Sequence, residues 1–196
     1  MAVENILIGY AKIWTAPVGE TFPAATVGYG VAWGGNWTYL GDTLEPLSLT
    51  IERTTFEVMI QQSNQPVKQA ITDQPINFST TMAEHTAGLL NKVLLGTVVT
   101  TAAATGVPGY DTLEFGGETT PNVLAVGFEA LYQTAANVSL PVRYMFWRGS
   151  ITLGGDIPFD KGAAAGIPIN IQVLSDTTKA VGQQTGRIQI VNVAAL

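Results

Sequence analysis

Apolar residues at every second position recur along most of this chain. That spacing commits it to β-strands, because only an extended chain turns successive side chains to opposite faces. Leu47, Leu49 and Ile51 alternate with Ser48, Thr50 and Glu52 in a one-face pattern, and Ile76, Phe78 and Thr80 repeat it. Ile6 to Trp14 sets Ile6, Ile8 and Tyr10 against Leu7, Gly9, Ala11 and Ile13, with neither face strongly polar. Asn122 to Gln133 and Val142 to Leu153 are long and rich in β-branched and aromatic residues. Ile167, Ile169, Ile171 and Val173 make another strand, whose Pro168 places its start at an edge or bulge. Arg187 to Val193 closes the chain with Ile188 and Ile190 alternating with Gln189 and Val191.

One segment follows a different period. Thr81-Met82-Ala83-Glu84 has the form of a capping box, and Met82, Leu89, Leu90, Val93 and Leu94 then keep helical spacing up to Gly96, a suitable C-terminal cap. The spacing predicts one amphipathic helix of about 13 residues, over roughly 82–95, laid on a sheet. Thr15 to Asn36 and Thr97 to Tyr110 are rich in Gly, Pro, Ala and Thr and read as long irregular loops, of a length that implies contacts or function. Arg53 to Ile71 is polar and β-prone, with Gln61, Gln62, Ser63, Asn64 and Gln65 at its centre, which fits a protruding hairpin. No repeat, linker or low-complexity stretch divides the chain, so 1–196 is expected to be a single domain.

Charged residues are only 12% of the sequence against 46% apolar, about half the usual quarter. So few Lys and Glu cannot cover a large free surface, and much of that surface is expected to lie against other copies of the chain. The apolar content is not that of a membrane span, which needs roughly 20 consecutive apolar residues; the run at Val93–Leu95 ends at Gly96 and Thr97. Glu4 stands where a signal peptide would carry Lys or Arg, so export by that route is not expected. The Asn-x-Ser/Thr triplets at Asn36, Asn77 and Asn137 would matter only in a secretory pathway. With no Cys, disulfides and thiolate metal sites are excluded. A net charge of −6, from 9 basic and 15 acidic residues, argues against a general nucleic-acid binder. It leaves room for a surface that DNA passes without sticking.

Chemistry is sparse. His85 is the one histidine and has no Cys to join it in a metal or nucleophile site, so it reads as solvated or locally hydrogen-bonded. Gly28 and Gly30 open a glycine-rich loop, but Trp33 occupies the third glycine position and no Lys-Ser/Thr follows, so a phosphate loop is not formed. Asp111, Asp156, Asp160 and Asp176 fall in expected turns without calcium-loop spacing. Glu45, Glu52 and Glu57 supply carboxylates for a glycosidase pair, but nothing in the sequence sets their separation. Of four tryptophans, Trp14 and Trp147 are expected in a core, whereas Trp33 and Trp37 flank a loop and are candidate subunit-interface anchors.

Several strings, in order, resemble the major tail tube proteins of siphophages, the long-tailed bacteriophages. They are Trp37-Thr38-Tyr39-Leu40-Gly41-Asp42-Thr43, then Leu47–Glu52, then Gln62–Gln65 with Pro66-Val67, and the strand and helix from Pro75 to Leu95. Phe159-Asp160-Lys161-Gly162, Ile167-Pro168 and Leu174-Ser175-Asp176 follow near the C-terminus. The resemblance spans about Ile6 to Asp176 and rests on the order of these motifs. It implies a mainly β fold, a β-sandwich or partial barrel flanked by the one helix, without enzyme activity or cofactor. Hexameric rings would stack into a hollow tube, with Gln62, Asn64 and Gln65 joining Trp33 and Trp37 at subunit interfaces. About four strands from each subunit of a hexamer, spaced roughly 4.8 Å and tilted about 40°, give a lumen about 48 Å across the backbone. Side chains narrow it to roughly 35–40 Å, enough for a DNA duplex. The implied partners are further copies, a tail terminator, distal tail and tape measure proteins, with genome DNA passing unbound and no membrane. Lumen-facing polar residues would come from between Ser48 and Gln69. Residues 1–5 and 177–196 would serve as assembly arms, the latter longer than the resemblance leads one to expect. A carbohydrate-binding or capsid-decorating β-sandwich, the ring-forming tube of a contractile secretion system and, least of all, an enzyme are the other readings.

Overall fold

The computed structural model describes residues 6–133, 138–162 and 164–192. The expected N-terminal arm at 1–5 lies outside them, as does the end of the C-terminal one. The chain is mainly β with a single helix among the described residues. Its strands are β1 (Ile6–Pro17), β2 (Thr38–Tyr39), β3 (Ser48–Ile51), β4 (Thr54–Val58), β5 (Lys68–Asp73) and β6 (Ile76–Met82). After α1 (Ala87–Leu94) come β7 (Gly96–Thr101), β8 (Tyr110–Phe115), β9 (Val123–Gln133), β10 (Ser139–Leu153), β11 (Ile167–Val173) and β12 (Gly186–Ile190).

One antiparallel sheet carries most of them, in the order β2-β1-β9-β10-β11-β6-β3. β10 is long enough to hold two neighbours on one side, β12 along Val142–Phe146 and β11 along Gly149–Leu153. The alternation that marks strands in the sequence also sets the inner face: Ile76, Phe78, Thr80 and Met82 of β6, and Ile167, Ile169 and Ile171 of β11, are buried. Phe78 stands 5.4 Å from Phe128 of β9 and 5.0 Å from Phe146 of β10, ring centre to ring centre. In a flat sheet β6 and β9 would be about 14 Å apart, three strand spacings. The sheet therefore curls until its two halves share one core, as a sandwich that stops short of a closed barrel. Leu89 and Val93 of α1 complete that core.

The helix is shorter and later than its sequence pattern predicts. Thr81 and Met82 belong to β6, where Met82 pairs with Ile167 and is fully buried. The Thr81 hydroxyl donates to the Glu45 carboxylate (2.7 Å) instead of capping a helix. Thr86 is the cap, its Oγ1 accepting from the Leu89 amide at 3.2 Å. Strand pairing and burial of Met82 outweigh a capping box worth about 1 kcal/mol. At the other end Leu95, not Gly96, takes the left-handed conformation (φ 56°). Gly96 opens β7 and is needed for space, since a Cβ there would strike the Glu114 carbonyl.

The stretch Thr97–Tyr110, expected to be irregular, is instead most of a hairpin in which Gly96–Thr101 pairs with Tyr110–Phe115. The β-branched run Thr97-Val98-Val99-Thr100-Thr101 favours the ladder, and Gly106 (φ 77°) makes its turn. Asp111 accordingly sits on β8, accepting from Thr100 Oγ1 at 2.7 Å, and not in a turn. The hairpin expected within Arg53–Ile71 is present as β4–β5. The first of the two expected loops begins later than its composition suggests, because β1 runs through Pro17. Of the 177–196 segment, Gly186–Ile190 is a strand of the subunit's own sheet. Before it, Asp176 holds a turn by accepting from the side chain and backbone N–H of Thr178, bonds that keep its carboxyl below the ordinary range.

Lys92 fastens α1 to the sheet, donating to Thr15 Oγ1 at 2.8 Å and Thr38 Oγ1 at 3.2 Å. Desolvation holds its ammonium below the usual lysine value. Between that lowered value and the usual one the unfolded chain binds more protons, so stability rises with pH across the window. Lys92→Met is expected to leave stability at neutral pH unchanged or higher and to abolish this alkaline rise, as urea unfolding from pH 7 to 10 will show.

Candidate functional site

The chain between β1 and β2 folds back as a strap over the outer face of β9 and β10. Beneath it Glu129 and Arg143, directly opposite in the β9–β10 ladder, form a fully buried ion pair with Nε 3.2 Å from Oε2. Arg143 also donates to the strap carbonyls of Ala24 (3.4 Å) and Val27, and to Gln189 Oε1 of β12 (3.3 Å). Glu129 Oε1 accepts from the Gly30 amide at 2.8 Å. A charge buried this deeply is tolerable only when paired and hydrogen-bonded, and here the strap backbone at Ala24, Val27 and Gly30 completes the pairing. Neither residue stood out in the sequence, although an acid and a base set alone among apolar residues of two adjacent strands is a readable signal.

Trp33 and Trp37, expected at a subunit interface, are 5% and 6% exposed and pack inside the subunit. Trp33 stacks on Trp14 (5.6 Å between centroids) and meets Trp37 edge-on (5.0 Å), while the Trp37 indole N–H donates to the Thr21 carbonyl at 2.8 Å. Trp14 is buried with them as expected. Trp147 is only half-buried, outside the main core, stacked on Phe22 at 3.9 Å with the Lys179 ammonium 4.3 Å from its ring centre. Trp33 packs its six-membered ring against Gly127, where a Cβ would stand 2.5 Å from Cζ3. Gly127→Ala should therefore lift the strap and cost about 1–3 kcal/mol, a loss that thermal unfolding will register.

Gln62, Asn64 and Gln65 lie exposed at the tip of the β4–β5 hairpin. Ser63 Oγ braces this turn, donating to the Gln65 carbonyl at 2.9 Å. The hairpin is amphipathic. Gln69 bonds Thr55 and Glu57 on one face, while Phe56 (59% exposed) and Val58 lie on the other, with Met59 and Ile60 following toward the tip. Among the described residues nothing covers that apolar face. β3, from which the hairpin grows, pairs with β6 alone among the described strands, which leaves its outer edge open there.

The remaining candidates stay apart. His85, just ahead of α1, is exposed and lies 3.0 Å from the Ala165 carbonyl. Glu45 takes the Thr81 hydroxyl, and Glu57 the Gln69 amide. Among the described residues no three His, Asp or Glu side chains gather as a metal site requires, and no helix is long and apolar enough to cross a membrane.

The folded subunit thus carries surfaces suited to contact. No curated protein matches the sequence. The family described as phage tail tube protein matches residues 3–183, nearly the whole folded unit, and the chain belongs to that family as a structural component of the virion tail that assembles into a tube with copies of itself.

Proposed function

We propose that this subunit forms hexameric rings that stack into the tube of a long-tailed phage, through which the genome leaves during ejection. One observation carries the reading. The outer face of β3, β6 and β11 presents Ser48, Thr50, Asn77, Ser79, Asn170 and Gln172, all exposed, polar and uncharged, and it ends at the open edge of β3. An open edge is a template for pairing with another chain, and continuing the sheet across subunits would line a lumen with that face. Without Lys or Arg to neutralise phosphates, it offers DNA no counterion release and hence no electrostatic hold. Ser48 and Thr50 fall in the range expected to face the lumen.

The hairpin tip residues Gln62, Asn64 and Gln65 serve subunit contacts in this arrangement. Trp33 and Trp37 contribute indirectly, by holding the strap whose Val31 is exposed. A tail terminator, the distal tail and a tape measure protein would complete the tail, assembled in the host cytoplasm. Electron microscopy of the purified chain tests the assembly. Six-fold rings or tubes support it, and a particle that stays monomeric at high concentration refutes it. Lysines introduced at Ser48, Thr50, Asn77 and Ser79 are expected to leave tubes intact and slow genome ejection, measured as DNA release from virions carrying them.

A further inference from the structure

The sandwich is open between β1 and the segment 43–47, and the opening is a shaped cleft. β1 bulges between Ile8 and Lys12, where Gly9 adopts φ 106°, and β2 flanks β1 only at Trp14 and Thr15. Among the described residues no strand pairs with β1 on that side around Tyr10 and Ala11. A cavity of about 460 Å³ lies there, lined mainly by apolar groups including Tyr10, Ala11, Leu44, Leu47, Phe128 and Tyr144. A second of about 330 Å³ shares Tyr10, Ala11 and Thr43 with it and adds Tyr39 and Asp42. Asp42 and Glu45 make the rim acidic, while Lys12 stands over the Tyr29 and Tyr39 rings, 5.6 Å from each centre.

The β4–β5 hairpin has the complementary character. Met59 and Ile60 are 57% and 44% exposed. The tip from Met59 to Val67 carries no charge, and Lys68 follows at once. The tip cannot reach its own cleft: Leu47 precedes β3 and the hairpin follows it, so each residue carries the tip about 3.3 Å further away.

Building on the assembly reading above, we propose that the hairpin tip of one subunit inserts Met59 and Ile60 into the cleft between β1 and 43–47 of a second copy, with Lys68 facing Asp42 and Glu45. Gln62, Asn64 and Gln65 then lie beside β1 around Ala11, where the Tyr10 carbonyl is already taken by the Tyr29 hydroxyl at 3.1 Å. Knob and cleft occupy different parts of one chain, so the contact is heterologous and propagates from copy to copy.

The chain has no cysteine, which makes the test clean. Ile60→Cys combined with Leu44→Cys, oxidised under assembling conditions, should give a ladder of covalent dimers, trimers and longer species on non-reducing gels. Either substitution alone should give dimers at most. A charge exchange provides a second measurement: Lys68→Glu should lower tube yield about tenfold, equivalent to about 1.4 kcal/mol, and Lys68→Glu with Glu45→Lys should restore it. Wild-type tubes whose double-cysteine subunits form no ladder, together with no rescue by the exchange, overturn this contact alone. A wild-type chain that never assembles overturns the assembly reading and the contact with it.

Discussion

Arg143→Met should lower the unfolding free energy of the subunit by about 3–5 kcal/mol, because it strands the Glu129 carboxylate in a fully buried site. At about 2–4 °C per kcal/mol for a chain of this size, Tm falls by roughly 6–20 °C. Arg143 also holds the Ala24 and Val27 carbonyls, so limited proteolysis should cut between residues 18 and 37 faster than in the wild type. Glu129→Leu added to Arg143→Met should recover most of the stability, since apolar replacements of a buried ion pair are often neutral or better, but not the protection of the strap. If Arg143→Met melts within 2 °C of wild type, the pair is not the anchor described.

Removing the hairpin should have the opposite profile. Replacing residues 53–75 by Asn-Gly-Thr joins β3 to β6 through a two-residue turn of the kind antiparallel strands favour, with the Thr supplying the closing N–H that Pro75 lacks. The deleted strands pair only with each other, and Phe56, Met59 and Ile60 leave no hole in the core because they are exposed. Urea unfolding should therefore stay within about 1 kcal/mol of wild type, by the general insensitivity of stability to exposed positions. Assembly should be lost, with only monomer in light scattering where the intact chain forms tubes. Tubes of normal yield from the shortened chain would remove the hairpin from the interface.

How much of this was legible in the sequence depended on whether a local signal had a competitor. The alternation at Ile76–Thr80 and Ile167–Val173 was met by strands because burial on one face is the only demand those residues face. The capping box at Thr81 was overruled from a distance, by Ile167 opposite Met82, and no local pattern carries that pairing. The hairpin at 96–115 was hidden by Ala and Gly around its turn, although its β-branched run was in plain view. Trp33 and Trp37 show the main gap: an aromatic in a glycine-rich loop serves an interface or a second core equally well. What decides between them is Gly127 on a strand roughly ninety residues away, clearing room for the ring. The Glu129–Arg143 pair went unread, because two single charges in apolar strands gain their meaning as a pair only from the register that brings them face to face, and that register belongs to the fold.

The junction between the curled sheet and the hairpin has a mechanical meaning. Between the Ile51–Ile76 and Thr54–Asp73 pairs the ladder narrows to one backbone bond, Glu52 N–H to the Pro75 carbonyl at 3.1 Å, and Pro75 has no N–H to return. In a filament held together through such projections, bending would concentrate at these narrow necks while the globular bodies stayed rigid. The tail would then flex as a stack of stiff discs on compliant joints, keeping its bore open around a curve.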